Sequence, residues 1–225
     1  KYPVISQVYP GPSQETVWTN FTVFDRYNNT ALAQRGFIVV CMGHRGGSSF
    51  RGAAYDKFGY GNLRDYPLAD DKAGLEQLAA KYPFIDLSRV GITGHSGGGM
   101  MAAAAICTYP DFYKVAVASS GNYDNSIYNR TWGETYQGIG EDGKFKVKTV
   151  QELAPNLKGH LLLATGDNDQ NVHSAHTFRL VDALIRANKN FDLLVLPGQS
   201  HHYEGVYETY FQKKKRDYFS QYLLK

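Results

Sequence analysis

Arg89-Val90-Gly91-Ile92-Thr93-Gly94-His95-Ser96-Gly97-Gly98-Gly99-Met100 is the stretch whose reading decides the fold of this 225-residue chain. Arg89 to Thr93 is a β-branched, apolar run that predicts a strand. A glycine-rich turn follows at once, and a helix is predicted to begin near Gly98 and run through the apolar segment Met100 to Cys107. A Gly-x-Ser-x-Gly pentapeptide is a weak signal by itself, expected by chance about once in eight sequences of this composition. The strand before it and the helix after it make it specific, because a serine at the apex of a strand–turn–helix elbow is held in strained geometry with its hydroxyl exposed. Gly94, Gly97, Gly98 and Gly99 leave room for the close crossing. A plain packing turn or a phosphate cradle is the competing reading. A dinucleotide fingerprint or P-loop would need other glycine spacing, and the P-loop a lysine.

Outward from this elbow, apolar runs alternate with helical stretches. Strands are predicted at Val4 to Tyr9, Gly36 to Met42, Val115 to Ser119, His160 to Thr165 and Phe191 to Leu196. Helical spacing marks Leu68 to Ala80, with Leu68, Leu75, Leu78 and Ala79 on one side, and Ser174 to Ala187, with Phe178, Val181 and Leu184 on one face. A last helix carries Tyr207, Tyr210, Phe211, Tyr218 and Tyr222 on an apolar stripe. Continuous apolar strands separated by helices imply an α/β fold, a mostly parallel sheet covered on both faces. Ligands bind such sheets beyond the carboxyl ends of the strands. The stretch from Asn122 to Leu157 has weaker periodicity and many aromatic and polar residues, and reads as an excursion over that edge.

Composition bounds the function classes. The chain is 43% hydrophobic and 20% charged with a formal charge of +3, the balance of a globular domain rather than a nucleic-acid binder. The run Lys213-Lys214-Lys215-Arg216 reads as the solvated face of the last helix. The longest apolar stretches, Phe37 to Met42 and Met100 to Cys107, fall far short of the roughly 18 residues that span a bilayer. Cys41 and Cys107 end apolar runs and read as buried free thiols; two cysteines do not indicate a compartment. Asn20, Asn28 and Asn129 open Asn-x-Ser/Thr sequons. The chain opens inside a strand-like segment with no initiating Met, which reads as a piece of a longer polypeptide.

A serine hydroxyl needs an imidazole to take its proton, and the imidazole needs a carboxylate to fix its tautomer. In hydrolases with this elbow the chain order is Ser, acid, His. Gly166-Asp167-Asn168-Asp169-Gln170-Asn171-Val172-His173 follows the fifth strand, and Pro197-Gly198-Gln199-Ser200-His201-His202 follows the sixth. Asp167 against Asp169, and His201 against His202, stay open on these grounds. His95 reads as a structural or cleft-lining group. His173 and His176 lack the further clustered ligands that a zinc site would need.

These motifs together resemble the prolyl oligopeptidase family, in its dipeptidyl peptidase IV-like branch. The opening strand with Val8-Tyr9-Pro10-Gly11-Pro12, the elbow Gly94 to Gly99, Asp169-Gln170-Asn171-Val172-His173, and the loop Pro197 to His201 carry the resemblance in that order along essentially the whole chain. It implies an α/β-hydrolase fold lacking its usual first two strands, and an upstream β-propeller in the full chain. It implies Ser96 as nucleophile, Asp169 as acid and His201 as base, with Tyr9 and the Gly97 N–H as the oxyanion hole. Asn171 would help hold a substrate carbonyl, and Tyr128 with Trp132 would form a flat slot for a proline-like ring. The sequence departs from the family pattern where His95 and Gly97 replace the elbow's usual Trp and Tyr, where Gly43-His44-Arg45-Gly46 replaces an Asp-Gly-Arg-Gly turn, and where Trp132 stands for a common Tyr.

The resulting expectation is a serine peptidase cleaving after proline or a small residue through an acyl-enzyme, with a peptide as its partner, a homodimer compatible with the resemblance, and no need of a metal or organic cofactor. An ester hydrolase using the same triad, and a catalytically silent binding module on this fold, are the alternatives.

Overall fold

The computed structural model describes residues 1–17 and 27–225. The Asn20 sequon lies outside these residues. Six strands, β1 (Tyr2–Gln7), β2 (Ile38–Cys41), β3 (Ile85–His95), β4 (Tyr113–Ser119), β5 (His160–Gly166) and β6 (Asp192–Leu196), form one sheet in the order β2-β1-β3-β4-β5-β6. Every pairing is parallel. The eight α-helices among the described residues are α1 (Asn29–Ala33), α2 (Ala53–Asp56), α3 (Asp65–Lys81), α4 (Gly97–Thr108), α5 (Arg130–Gln137), α6 (Val150–Leu153), α7 (Ala175–Arg186) and α8 (Gly205–Leu223). This is the α/β-hydrolase architecture expected from the sequence.

Parallel strands cannot be joined by hairpins, so the helices must cross over the faces. One face packs Val4, Val90, Ile92, Ala116, Leu161 and Leu163 against α3, α4 and α7. The other packs Ile5, Val115, Val117 and Leu162 against Leu32 of α1 and Phe211, Phe219 and Leu223 of α8. Helix α4 is buried from Gly97 through Cys107, which explains why its sequence is apolar all round rather than striped.

Four expectations change in detail. Lys215 is not part of a solvated face: it is 3% exposed, and its Nζ donates to the Tyr27 carbonyl over 2.9 Å. It stands four residues after Phe211 and four before Phe219, on the stripe that α8 turns to the sheet, so its methylene stem packs while its ammonium reaches a carbonyl. That stripe consists of Phe211, Tyr218, Phe219 and Leu223, with Tyr222 packed against it half-buried; Tyr207 and Tyr210 are exposed. On α7, Phe178 is exposed and the buried positions are His176, Thr177, Leu180 and Leu184. Both cysteines are free, Cys107 buried and Cys41 only half-buried.

The strand order reverses between β1 and β3, the two strands that lead into Tyr9, two residues past β1, and into the Ser96 turn. Crevices form at such a switch point, beyond the carboxyl ends of the strands. The excursion is tied down by neighbours outside it. Gly61 N–H donates to Thr135 O (2.9 Å) and Leu63 N–H to Tyr136 O (2.8 Å), while the Gln137 amide donates to Leu63 O (3.1 Å). Arg64, 2% exposed and at φ 124°, donates to the Lys148 carbonyl. The short helix α6 starts with a capping box in which Thr149 and Glu152 satisfy each other's N–H groups.

Candidate active site

Ser96 sits at φ 59° and ψ −124° between β3 and α4. Its N–H donates to Ser119 O (2.9 Å), and its carbonyl accepts the first helical bond from Met100 N–H (3.0 Å). The glycines make this crossing feasible. A Cβ on Gly94 would stand 2.4 Å from the Gly98 carbonyl, and one on Gly98 would stand 2.2 Å from Val8 O. These distances are to backbone atoms that cannot rotate away, so the strain at Ser96 is held by the fold.

The Ser96 hydroxyl meets His201 Nε2 at 2.9 Å, and His201 Nδ1 meets Asp169 Oδ2 at 2.8 Å. The Asp169 side chain is fully buried. Its other oxygen accepts the N–H groups of Asn171 (2.9 Å) and Val172 (2.8 Å). Burial pushes this carboxyl up; the hydrogen bond and charge of His201 and the two N–H donors outweigh it and hold the pKa below the usual carboxylate value. An ionised Asp169 fixes the proton on His201 Nδ1 and leaves Nε2 as the acceptor facing Ser96.

The same geometry separates the pairs that the sequence left open. Asp167 turns to the histidine loop, where its Oδ1 accepts from Gly198 N–H (2.6 Å). Gly166 allows that loop to lie close, since a Cβ there would meet Gln199 O at 2.2 Å. His202 is exposed and stacks with His95 at 5.2 Å between ring centroids. His173 Nδ1 accepts from Ala175 N–H at the start of α7. His176 is buried beneath Asp124 and Tyr128, at 6.0 Å between ring centroids from the latter.

His95 packs against the base, with its ring centroid 4.9 Å from that of His201, and its Nδ1 lies 2.9 Å from Ser119 Oγ. Ser119 Oγ in turn donates to Gly94 O. Burial, followed by the neighbouring His201 and His202, pushes the His95 pKa down to about 3. His95 therefore stays neutral at ordinary pH, consistent with a lining group and unsuited to act as the base.

Tyr9 and Ser96 line one cavity of about 460 Å³, together with His95, Asn171 and His201. The Tyr9 ring lies over Gly97. Tyr128 and Trp132 line an adjoining open groove of about 660 Å³, and Asn171 borders both spaces. The Tyr128 hydroxyl donates to Asn171 Oδ1 (3.2 Å), and the Tyr128 and Trp132 rings meet edge-on at 5.5 Å. Tyr128 thus stands beside the Ser96 cavity, and Trp132 stands one ring further out. Sequence reasoning missed the supporting residues Ser119, Arg64 and His176. The positive φ of Arg64 and the distant partners of the other two leave no periodic or motif signal.

Comparison with known proteins agrees with this fold. The family model described as Prolyl oligopeptidase family matches residues 22–225. Dipeptidyl peptidase 8 of Homo sapiens is 35% identical over 210 residues, covering 89% of this chain and 23% of that protein. Dipeptidyl aminopeptidase A of Saccharomyces cerevisiae is 29% identical over 226 residues, covering 95% of this chain and 24% of that protein. The crystal structure of Porphyromonas gingivalis dipeptidyl peptidase 4 superposes with a TM-score of 0.89 at 27% identity, covering 99% of this chain and 31% of that one. The chain spans about a quarter of the length of the curated relatives it matches.

Proposed function

This chain belongs to the prolyl oligopeptidase family, and from that premise we propose that it is the catalytic domain of a serine peptidase cleaving peptide bonds after proline or a small residue. The observation that carries this reading is the unbroken path from buried Asp169 through His201 to Ser96, beside a cavity that also takes in Tyr9. Ser96 Oγ attacks the peptide carbonyl while His201 Nε2 takes its proton. The carbonyl oxygen becomes an oxyanion held by the Tyr9 hydroxyl and the Gly97 N–H. Collapse of this adduct breaks the C–N bond, and His201 returns the proton to the leaving amine. Water, deprotonated by His201, then attacks the acyl-enzyme and releases the acid, and the proton goes back to Ser96.

Asn171 holds a substrate carbonyl in this scheme. Tyr128, oriented by its bond to Asn171, forms one wall of the slot for a proline-like ring, and Trp132 extends it. Removal of N-terminal dipeptides by the whole protein is supported by the names of its relatives. An upstream β-propeller, the excursion 122–157 as the roof of the cleft, and a homodimer belong to the same reading and rest on the family resemblance.

Labelling with a fluorophosphonate tests the nucleophile: the wild type is labelled and Ser96→Ala is not. Labelling that survives Ser96→Ala overturns the assignment. Turnover of a Gly-Pro anilide alongside a short acyl ester tests the substrate class. Failure on every prolyl substrate with retained ester hydrolysis transfers the same machinery to an esterase.

A further inference from the structure

The cavity beside Ser96 is larger than the reacting atoms need, and it runs away from the aromatic slot. Neither Tyr128 nor Trp132 lines it; among the described residues the two spaces share Asn171. From Ser96 it passes His201 and His95 and reaches helix α8, where Phe211 and Gln212 border it. Its volume of about 460 Å³ falls in the range of small-ligand sites. Exposure gives it depth. Gln7, Tyr203 and Phe211 are buried at its inner end, whereas Gln14 is exposed and Glu208 half-buried at its mouth.

One wall of this cavity is aromatic and fixed. The His95 and Tyr203 rings meet edge-on at 5.9 Å between centroids, and Tyr203 meets Phe211 edge-on at 5.1 Å. Tyr203 is further held by its hydroxyl, 3.0 Å from Ser120 Oγ, and His95 by Nδ1, 2.9 Å from Ser119 Oγ. Burial keeps His95 neutral, so the wall carries no charge. The charged groups that α8 brings to the cavity are already engaged: Glu208 Oε1 accepts from Gln212 Nε2 (2.7 Å), and Lys215 Nζ donates to Tyr27 O (2.9 Å). What remains for a guest is ring surface and the Gln7 carboxamide. The elbow's usual Trp at position 95 would spread a larger ring over part of this space.

We infer that this cavity receives the side chain of the residue after the scissile bond, and that it selects a large aromatic one, tyrosine above all. The inference deepens the peptidase reading and rests on it. His201 Nε2 returns its proton to the leaving amine, so that nitrogen must lie beside His201. The His95 ring is 4.9 Å from the His201 ring, and the Tyr128 slot is taken by the acyl half of the substrate. The side chain on the leaving amine is therefore directed along His95 towards Tyr203 and Phe211. An aromatic ring packs edge-to-face on such a wall, and its burial there releases water from both surfaces. A tyrosine hydroxyl at the inner end meets the Gln7 carboxamide, which can donate or accept.

The test compares the peptides Gly-Pro-Tyr-amide and Gly-Pro-Ala-amide on the complete natural polypeptide, following release of Gly-Pro by liquid chromatography. Both form the same acyl-enzyme, so the ratio of their kcat/KM values reports the leaving half alone. The wild type should favour the tyrosine peptide about tenfold. His95→Trp and Gln212→Trp fill the cavity from the elbow and from α8, and each should bring the ratio below about twofold. Thermal melting shows which of the two variants is folded. A further readout needs no prolyl substrate: tyrosinamide should slow fluorophosphonate labelling of the wild type at a concentration about tenfold lower than alaninamide does. A wild-type ratio below about twofold, a preference that survives in a folded variant, or equal protection by the two amides would each overturn the inference. If neither variant folds, the wild-type ratio and the protection decide it. A wild type that is labelled and protected by tyrosinamide, yet cleaves neither peptide nor a Gly-Pro anilide, would overturn the prolyl reading and leave the cavity assignment standing.

Discussion

The Ser96 elbow and the aromatic excursion lie on the same edge of the sheet but are held to different degrees by backbone packing and by side-chain ties. In the elbow, backbone packs on backbone: Gly94 on Gly98, Gly98 on Val8, Gly99 on Ser119, with no rotatable atom between them. In the excursion, the Thr135 and Tyr136 carbonyls take N–H groups of Gly61 and Leu63, and the remaining ties are side chains reaching across gaps: Arg64 to the Lys148 carbonyl, Gln137 to Leu63, Tyr128 to Asn171. Rigid crossings suit a nucleophile, which must be held to a fraction of an ångström. Side-chain ties suit a wall that defines a pocket, because each can be exchanged without breaking the chain path. Under the proposed function, the contrast assigns chemistry to the sheet and selectivity to an element pinned from outside.

The comparison can be broken first through the triad. Asp169→Asn offers an amide in place of the anion that fixes His201, and kcat should fall about 10⁴-fold, measured by steady-state turnover of the anilide. A loss below tenfold would mean that the buried carboxylate is not what orients the base.

A second measurement separates the two regions directly. Gly98→Ala drives a Cβ into Val8 O and should cost upwards of about 3 kcal/mol, whereas Trp132→Ala, on a half-exposed residue of the excursion, should cost about 1 kcal/mol. Denaturant melts of the two variants check this. Equal costs would erase the distinction between the tightly packed elbow and the excursion, whose ties are in good part side chains.

The smallest effect is a pH dependence that sets one buried imidazole of each region side by side. Burial lowers His95 of the elbow from 6.5 to about 3, and burial lowers His176 beneath the excursion from 6.5 to about 4. Below pH 6.5 the unfolded chain takes up protons that the folded chain refuses, so stability falls with pH until the folded value is reached. At pH 5 each should have cost about 2 kcal/mol. Asp169 acts in the same direction: its depressed pKa stabilises the fold above the ordinary carboxylate range and ceases to do so as pH falls through the folded value. His176→Gln should flatten the fall in melting temperature between pH 7 and pH 5, and an unchanged slope would count against a neutral buried His176.

Much of this arrangement is legible in the sequence because it is local. A strand running into Gly94 to Gly99 and a fully apolar helix running out leave few alternatives, and the parallel sheet follows from apolar runs separated by helices. The acid and base loops were legible as places, since each follows a strand. Spacing alone did not choose the residue, since Asp167 and Asp169 are both short acidic side chains in one turn; the family resemblance pointed to Asp169, and the fold shows Asp167 bonded to Gly198 N–H and Asp169 to His201. The basic run misled for the same reason. Lys215 has a solvent-loving head, but its register with Phe211 and Phe219 turns it to the core.

By itself, then, the sequence determined the elbow, the order of the six strands and the four longest helices along the chain, and the family. The tertiary structure decided which residues meet: Asp169 rather than Asp167, His201 rather than His202, Tyr9 over Gly97, and Arg64 beneath the excursion. The physical reason is range. Hydrogen-bond periodicity and turn sterics act over a few residues and leave a pattern in the chain, whereas a contact such as Ser96 with His201, 105 residues apart, exists only after the sheet has brought its strand ends together.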